Sequence, residues 1–413
     1  MTLIDTTDHL AEFCDACAAH PYVTVDTEFT RDRTFFPKLC LVQLAYPGSD
    51  DAAAAAIDTL SPGLSLDPLY QLFANSSVTK VFHAARQDLE IFYLDRQVFP
   101  EPFFDTQIAA MACGFGDQVG YEALVRAISR RSLDKASQFS NWDVRPLTAR
   151  QVGYALGDVT HLRSVYEHLS HRLLEQGRSR WVQEGFRELL SPDLYCIDPE
   201  RAWERLKIGN ASGRTLAAIR ELARFREEVA QRRDIPRNRV FSDKALMETA
   251  SIRPVTSAEL AKSRFLPRHL CRGLVADGIL DVVKKVAALP DHALPPRQKP
   301  AKPINQNPAL LALLRAFLKA RADEATVSTA LIASATDLED LVVGTPDARV
   351  LKGWRYDLFG RDAVRLAKGE IALAIDGSRI RIVESSPAED VGDPRPRQEP
   401  PRFVRRARRD RVG

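Results

Sequence analysis

The sequence predicts an α/β domain, a mixed sheet flanked by helices, followed by all-α helical bundles. Through about residue 170, short apolar segments typical of strands alternate with amphipathic segments typical of helices. From about residue 197 the pattern is strongly helical. A segment with six prolines, 290–308, divides this helical part because it cannot continue a helix or strand. The α/β domain is predicted at residues 1–172 and a first helical domain at 202–289. A linker at 290–308, a second helical domain at 309–384 and a disordered basic tail at 385–413 follow.

Composition indicates a soluble globular protein. The 413 residues are 45% hydrophobic and 27% charged, which is ordinary for such proteins. The chain has no apolar run of the roughly 18–20 residues that a membrane helix needs, and its first residues do not resemble a secretory signal. Six scattered cysteines favour a reducing cytoplasm over a disulfide framework. We therefore expect a cytoplasmic protein without a membrane partner.

The formal net charge is only +3, but arginines are concentrated near the end of the chain. Residues 402–413 hold six arginines and one aspartate. Such a tail is either solvated disorder, which we favour, or a nucleic-acid contact that acts by counterion release.

Several segments of the first domain have clear patterns. Strands are predicted at Tyr22–Asp26, Lys38–Ala45, Ala52–Asp58 and Val78–His83, with a helix at Ala84–Tyr93. Asp26 and Glu28 lie two residues apart, so both side chains point to one face of an extended strand. An unpaired carboxylate in the apolar run around Asp26 would be costly to bury, and a metal ion would relieve that cost.

A long helix is predicted from Thr148, which forms a capping box with Gln151. Tyr154 and Asp158 are four residues apart and share one face of this helix. Gly153 and Gly157 lie within it, and each lowers the stability of the helix by about 1 kcal/mol relative to alanine. We attribute them to sequence drift, with close approach of a ligand as the alternative.

The first helical domain is expected to be basic. A basic amphipathic helix is predicted at Thr215–Arg232, with shorter helices near Asp243–Ala250, Thr256–Lys262 and Arg268–Asp277. Eight arginines lie within 26 residues: Arg214, Arg220, Arg224, Arg226, Arg232, Arg233, Arg237 and Arg239. We predict that they hold nucleic-acid phosphates, with Arg220 and Arg224 as substrate contacts. A solvated basic surface is the alternative.

The acidic residues follow a recognisable order. Asp26-x-Glu28, then Asp88, then Tyr154-x-x-x-Asp158 resembles the tyrosine branch of the DEDD exonuclease superfamily. The segments HAARQDLEIF, FFDTQIAAM and NWDVRPLT resemble the ribonuclease D family. The first helical domain resembles an HRDC domain, and VLKGWRYDLFG resembles the last helices of a second one.

The resemblance implies a ribonuclease H-like exonuclease fold and a two-metal mechanism. It implies 3′→5′ exoribonuclease activity that releases 5′-mononucleotides from tRNA precursors and other structured RNAs. Two Mg²⁺ or Mn²⁺ ions are expected, since hard cations prefer carboxylate oxygens. Asp26, Glu28 and Asp158 would hold the ion that activates water. Asp26, with Asp88 partly through water, would hold the ion at the leaving oxygen.

The resemblance also suggests roles for residues near the metals. Tyr154 would orient the attacking water and the scissile phosphate, so that His161 is expected to be structural. Phe29 is predicted to stack on a base, and Gln43 and His83 to contact substrate, with core packing as the alternative for each. Trp142 is expected to pack in the core.

Two other functions remain open. A DNA-directed 3′→5′ exonuclease would use the same acids, and a decayed nuclease could bind RNA without cutting it. The HRDC-like modules favour RNA over DNA, and the presence of all five site residues favours catalysis. The sequence does not indicate a protein partner.

Overall fold

A computed structural model describes residues 2–48, 51–133, 140–296, 307–377 and 379–385. Its N-terminal domain contains a six-stranded mixed sheet in the order β1-β4-β3-β2-β5-β6. The strands are β1 (Thr2–Ile4), β2 (Tyr22–Thr30), β3 (Lys38–Ala45), β4 (Ala54–Ile57), β5 (Thr79–Phe82) and β6 (Phe103–Asp105). β2 pairs antiparallel with β3 and parallel with β5, so the predicted mixed sheet is confirmed. β1 and β6 had no sequence signal, because three residues are too few to show a period.

Seven helices cover this sheet. They are α1 (Thr7–Ala18), α2 (Asp67–Ala74), α3 (Arg86–Arg96), α4 (Thr106–Ala112), α5 (Tyr121–Ser129), α6 (Ala149–Glu175) and α7 (Ser179–Leu189). The predicted capping box at the start of α6 is present. Small buried side chains on β3 and β4, among them Ala45, Ala54 and Ala56, allow α6 to lie close against the sheet. The Thr24 hydroxyl connects the two layers, since it lies 3.0 Å from the Ala45 carbonyl oxygen and 2.9 Å from that of Val159.

The first helical domain contains α8 (Gly213–Arg233), α9 (Arg237–Val240), α10 (Asp243–Ile252), α11 (Ser257–Leu260) and α12 (Leu274–Ala288). The helix expected at Arg268–Asp277 is instead a 3₁₀ turn, Arg268–Cys271, followed by the start of α12. Gly273 lies between them at φ 80° and separates the two.

The C-terminal part contains α13 (Pro308–Ala325), α14 (Thr329–Ile332), α15 (Ala335–Val343), α16 (Gly353–Arg355), a π-helical turn (Tyr356–Gly360) and α17 (Arg361–Ala367). An antiparallel hairpin, β7 (Ile371–Asp376) and β8 (Arg379–Glu384), follows. This hairpin corrects the expectation of a helical domain through residue 384. Arginine and isoleucine alternate at the start of β8, the period of two that is typical of a strand. Residues 297–306 of the predicted linker and 386–413 of the predicted tail lie outside the described residues.

Both helical parts contact the N-terminal domain. Phe35, on the loop after β2, is buried in the core of the first helical domain. The backbone amides of Phe35 and Phe36 donate to the Asp234 carboxylate at 2.9 and 3.0 Å. On the other side, the rings of Trp181 on α7 and Trp354 on α16 stack with centroids 4.4 Å apart.

Among the described residues, no helix combines the length and apolar character needed to span a membrane.

Candidate active site

Three of the predicted acids meet at the interface of β2 and α6. Asp26 and Glu28 project from the face of β2 that α6 covers, and Asp158 projects toward them from α6. Ligand oxygens of Asp26, Glu28 and Asp158 all lie within 4.8 Å of one another. Asp26 and Glu28, two residues apart, share one face of the strand, and Asp158 shares one face of α6 with Tyr154, four residues before it. The two faces meet, and the three carboxylates form one cluster.

Asp88 approaches the same strand from its open edge. β5 pairs with β2 only at Tyr22–Thr24, so the acidic end of β2 has no strand on this side. Asp88 lies in the first turn of α3, buried, and its carboxylate accepts a hydrogen bond from the Thr27 hydroxyl. It is not part of the three-carboxylate set, but its charge acts on both Asp26 and Glu28.

The turn before α3 is held by a buried aspartate. Asp105 caps α4 by accepting from the amides of Gln107 and Ile108, at 2.8 and 3.1 Å, and it also accepts from the Ala85 amide at 2.9 Å. The neighbouring Ala84 has φ 58°, a conformation that costs energy for a residue with a side chain. Asp105 therefore fixes the strained turn from which Asp88 projects, which gives a structural reason for the FFDTQ segment.

Burial raises the pKa values of all four carboxyl groups. Removal from water raises the pKa of Asp26 well above its usual range, and the charges of Asp88, Asp158 and Glu28 add to this effect. Removal from water is also the main cause that raises the pKa of Glu28 to about 8 and those of Asp88 and Asp158 to about 7. Bound cations would reverse this repulsion, so the donor set fits hard divalent metals.

Tyr154 and Asp158 line a groove with a volume of about 320 Å³. Burial and the charges of Asp158, Glu28 and Asp26 raise the pKa of the Tyr154 phenol, which therefore stays protonated and able to donate. Gly157 also lines this groove, and a Cβ placed on it would meet no atom within 4 Å. His161, expected to be structural, lines the groove as well.

The NWDVRPLT segment connects the sheet to α6. Arg145 forms two hydrogen bonds of 2.7 Å with Asp58, and another of 2.7 Å with the Cys40 carbonyl oxygen. Trp142 is 3% exposed and packs between the sheet and α6, which confirms the expectation for this residue. The segment therefore has a structural role in placing the start of α6.

The predicted substrate contacts near the acids differ in access. Phe29 is half-buried at the end of β2, where the register with β3 shifts between Glu28 and Phe29. Gln43 is fully buried opposite Asp26, and its contact with substrate stays a prediction. The Nδ1 atom of His83 lies 2.9 Å from the Thr106 hydroxyl and its Nε2 is buried, so the core alternative fits His83 better.

Arg220 and Arg224 are engaged within the first helical domain. The Arg220 guanidinium lies over the Trp203 ring, 4.2 Å from its centroid. Arg224 forms ion pairs with Glu200 at 2.9 Å and Glu221 at 2.7 Å. The sequence shows the arginines but not these acidic and aromatic partners. The prediction that Arg220 and Arg224 contact substrate stays a prediction.

Tyr121 is a site residue that the sequence did not reveal. Its hydroxyl donates to the Gly157 carbonyl oxygen at 3.1 Å, directly before Asp158. Burial raises its pKa, and the charges of Asp158 and Asp26 contribute, which places the phenol beside the acidic cluster. No chemical motif identifies this residue, since its importance comes from a contact across 36 positions of the chain.

Comparisons with known proteins agree with this geometry. A family model described as a 3′-5′ exonuclease matches residues 1–174, and one described as an HRDC domain matches residues 215–283. Ribonuclease D of Jannaschia sp. is 52% identical over 92% of this chain and 99% of its own length. Ribonuclease D of Acidiphilium cryptum is 46% identical over 92% of this chain and 97% of its own length.

A solved structure shows the same architecture. The crystal structure of Escherichia coli RNase D, described as an exoribonuclease involved in structured RNA processing, matches with a TM-score of 0.78. Its sequence is 28% identical, and the match covers 89% of this chain and 98% of that one. The matches extend over both the exonuclease and the HRDC regions. The chain therefore belongs to the ribonuclease D family and is a hydrolase with a 3′–5′ exonuclease domain.

Proposed function

We propose that the chain shortens RNA from the 3′ end by hydrolysis with two divalent cations, and that Asp26, Glu28, Asp88 and Asp158 hold them. The observation that carries the proposal is the clustering of Asp26, Glu28 and Asp158 oxygens within 4.8 Å. Asp88, which the Thr27 hydroxyl holds at the edge of β2, supplies the fourth carboxylate.

The ligand set suits Mg²⁺ or Mn²⁺. All four groups are oxygen donors, and burial raises the pKa of each, an effect that a bound cation would offset. When bound, two such ions lower the pKa of water and stabilise charge on the leaving oxygen.

Residues of the chain position the reactants. Asp26 would contribute to holding both ions, Glu28 and Asp158 would help to hold the ion that activates water, and Asp88 would help to hold the ion that stabilises the leaving 3′ oxygen. The protonated phenol of Tyr154 donates a hydrogen bond that orients the water and the scissile phosphate. Phe29, half-buried beyond the register shift, stacks on the terminal base. This stacking is independent of base identity, which suits an exonuclease.

The proposed substrates are structured RNAs with accessible 3′ ends, tRNA precursors among them. The family matches support RNA, because they cover both the nuclease and the HRDC regions. We also propose a cytoplasmic location, which is supported by the free thiols of Cys14, Cys17, Cys40, Cys113, Cys196 and Cys271.

Degradation of matched substrates tests the proposal. A tRNA with a short 3′ extension and a single-stranded DNA are incubated with Mg²⁺, with Mn²⁺ and with EDTA. We expect stepwise loss of 3′ nucleotides from the RNA, release of 5′-mononucleotides and no reaction in EDTA. Asp158→Asn is the inactive control. Faster degradation of DNA would favour the deoxyribonuclease alternative, and RNA binding without hydrolysis would favour the non-catalytic one.

A further inference from the structure

Two adjoining cavities lie on the first helical domain, and one of them also borders the N-terminal domain. One, of about 380 Å³, lies between the loop after β2 and the first helical domain. The other, of about 710 Å³, continues along α10. Both are lined by Arg205, Leu206 and Asp243, so they form one continuous depression, which we call the junction groove.

The junction groove begins at the end of β2, the strand that carries Asp26 and Glu28. Arg31, which lines its first part, follows Glu28 by three residues. The Arg31 guanidinium forms two hydrogen bonds of 2.8 Å with Glu90, two residues beyond Asp88. The groove therefore starts beside the segments that carry two of the proposed metal ligands.

The groove has an excess of positive charge. Its lining contains six basic residues and two acids: Arg31, Arg205, Lys207, Arg226, Arg237 and Lys244 against Asp243 and Glu248. Asp243 is paired with Arg226 at 2.7 Å. Glu248 accepts from the backbone amides of Arg264 and Phe265 at 3.0 and 3.1 Å. Both acids are therefore already engaged.

The uncompensated cations lie in the second part of the groove. Lys207 and Lys244 are exposed and form no ion pair within the part of the chain that the structure describes. Arg205 is 56% exposed and lies 3.5 Å from Glu227, whose carboxylate is paired more closely with Arg237 at 2.5 Å. Three cations therefore face the groove with little neutralisation.

An aromatic ring stands beside these cations. Phe265 is 49% exposed, and the Lys244 ammonium lies 5.9 Å from its ring centroid. The amide of Phe265 is held by Glu248, so the ring is presented from an anchored loop. A groove that combines cations with an exposed aromatic ring suits a single-stranded nucleic acid, whose phosphates meet the cations while a base stacks on the ring.

We propose that the junction groove binds the single-stranded RNA segment that leads into the acidic cluster, with Arg205, Lys207 and Lys244 contacting phosphates and Phe265 stacking on a base. The proposal rests on the proposed function, because continuity with the nuclease site identifies the strand. It assigns RNA capture to residues other than Arg220 and Arg224.

Binding by the metal-free full-length protein tests the groove separately from hydrolysis. A 5′-labelled 16-nucleotide single-stranded RNA is titrated in EDTA, and anisotropy is recorded at several salt concentrations. For Lys207→Ala/Lys244→Ala we expect about tenfold weaker binding at 0.1 M salt. We also expect a slope of log K against log salt that is smaller by about 1.4, since each single-strand phosphate contact contributes about 0.7. Phe265→Ala should weaken binding at least fivefold, about 1 kcal/mol, with no change in slope.

The matched control is Lys284→Ala/Lys285→Ala on α12, where two exposed lysines outside the groove give the same change in charge. We expect wild-type affinity and slope for this control. Equal losses in both lysine pairs, or no loss in the groove pair, would overturn the proposal. Failure of the wild-type protein to hydrolyse RNA in Mn²⁺ would instead contradict the proposed function and leave the binding result interpretable.

Discussion

At the scale of single residues, the acidic site is destabilising without metal. Asp26, Glu28, Asp88 and Asp158 all have raised pKa values because they share a region with little water, and for Asp26 and Glu28 because their charges also repel neighbouring acids. A site of this kind exchanges stability for the ability to attract cations, which is common where function requires concentrated charge.

Asp26→Asn should therefore separate stability from activity. The amide keeps the shape but removes a charge that repels three others, so the metal-free variant should melt about 2–4 °C higher than wild type at pH 8. Hydrolysis should fall more than about 100-fold, because several kcal/mol of metal stabilisation are lost. Thermal melting in EDTA and hydrolysis in Mn²⁺ measure the two effects. If Asp26→Asn melted at a lower temperature than wild type in EDTA, the carboxylates of the cluster would not repel one another.

Tyr154→Phe tests the orienting hydroxyl. The raised pKa of the phenol makes it a hydrogen-bond donor rather than a base at neutral pH. Deleting the hydroxyl should lower kcat about 10- to 100-fold with little change in RNA affinity. Single-turnover hydrolysis and anisotropy titration report these quantities separately. Weakened binding with an unchanged kcat would place Tyr154 in the substrate groove alone.

Metal binding should depend on pH in a defined direction. The pKa values of Glu28 (about 8), Asp88 and Asp158 (about 7) lie above their unfolded values, so the folded metal-free protein retains more protons than the unfolded chain. Its free energy of unfolding should consequently fall as pH rises from about 4 to 8.

Metals displace these protons, so Mn²⁺ affinity and the rise in Tm that Mn²⁺ causes should both increase from pH 6 to 8. Calorimetry in two buffers measures the released protons, and absence of proton release would contradict the raised pKa values.

At the scale of elements, α6 both closes the sheet and forms the wall of the active-site groove. Its buried side rests on the small residues of β3 and β4, and an adjoining face lines the groove with Tyr154, Gly157, Asp158 and His161. The absence of a side chain at Gly157 leaves the groove open between the functional groups.

Gly157→Ala should make the protein more stable and a poorer enzyme. Alanine stabilises a helix interior by about 1 kcal/mol relative to glycine, and its methyl group would meet no protein atom. The methyl group would stand in the groove, so KM for RNA should rise while kcat stays near wild type. Ser170→Ala, elsewhere on α6, is the control for helix stability, and its KM should be unchanged. An unchanged KM in Gly157→Ala would support sequence drift as the origin of the glycine.

At the scale of the whole molecule, aromatic contacts attach the helical parts to the nuclease domain. Phe35 enters the core of the first helical domain, and Trp181 stacks on Trp354 of the C-terminal part. Arg178 and Arg355 lie over these tryptophan rings, 5.0 and 4.5 Å from the centroids, and extend the stack. The first part of the junction groove depends on the first of these contacts, because Arg31 and Phe35 line it together with residues of the first helical domain.

Trp354→Ala should loosen the C-terminal part. Loss of a packed tryptophan costs up to about 3 kcal/mol, so we expect an additional low-temperature unfolding transition and a larger radius of gyration in solution scattering. Trp354→Phe keeps an aromatic face and should restore most of the wild-type behaviour. A single transition at the wild-type Tm in Trp354→Ala would mean that other contacts hold this part in place.

The sequence by itself predicted the mixed sheet, the helical second half, the capping box of α6 and the one-sided arrangement of Asp26 with Glu28 and of Tyr154 with Asp158. Each of these depends on interactions between residues that are close in the chain, and such interactions leave a period or a cap in the sequence. The roles assigned to these residues in metal binding and catalysis remain predictions.

Only the tertiary structure decided which polar residues are accessible and which are already paired. Gln43 is buried by α6, Arg224 is paired with glutamates, and Tyr121 reaches Gly157 across the domain. The junction groove likewise combines the loop after β2 with residues about 170 to 235 positions later. A residue type indicates the interactions that a side chain can make, but burial and pairing depend on neighbours that only the folded chain brings together.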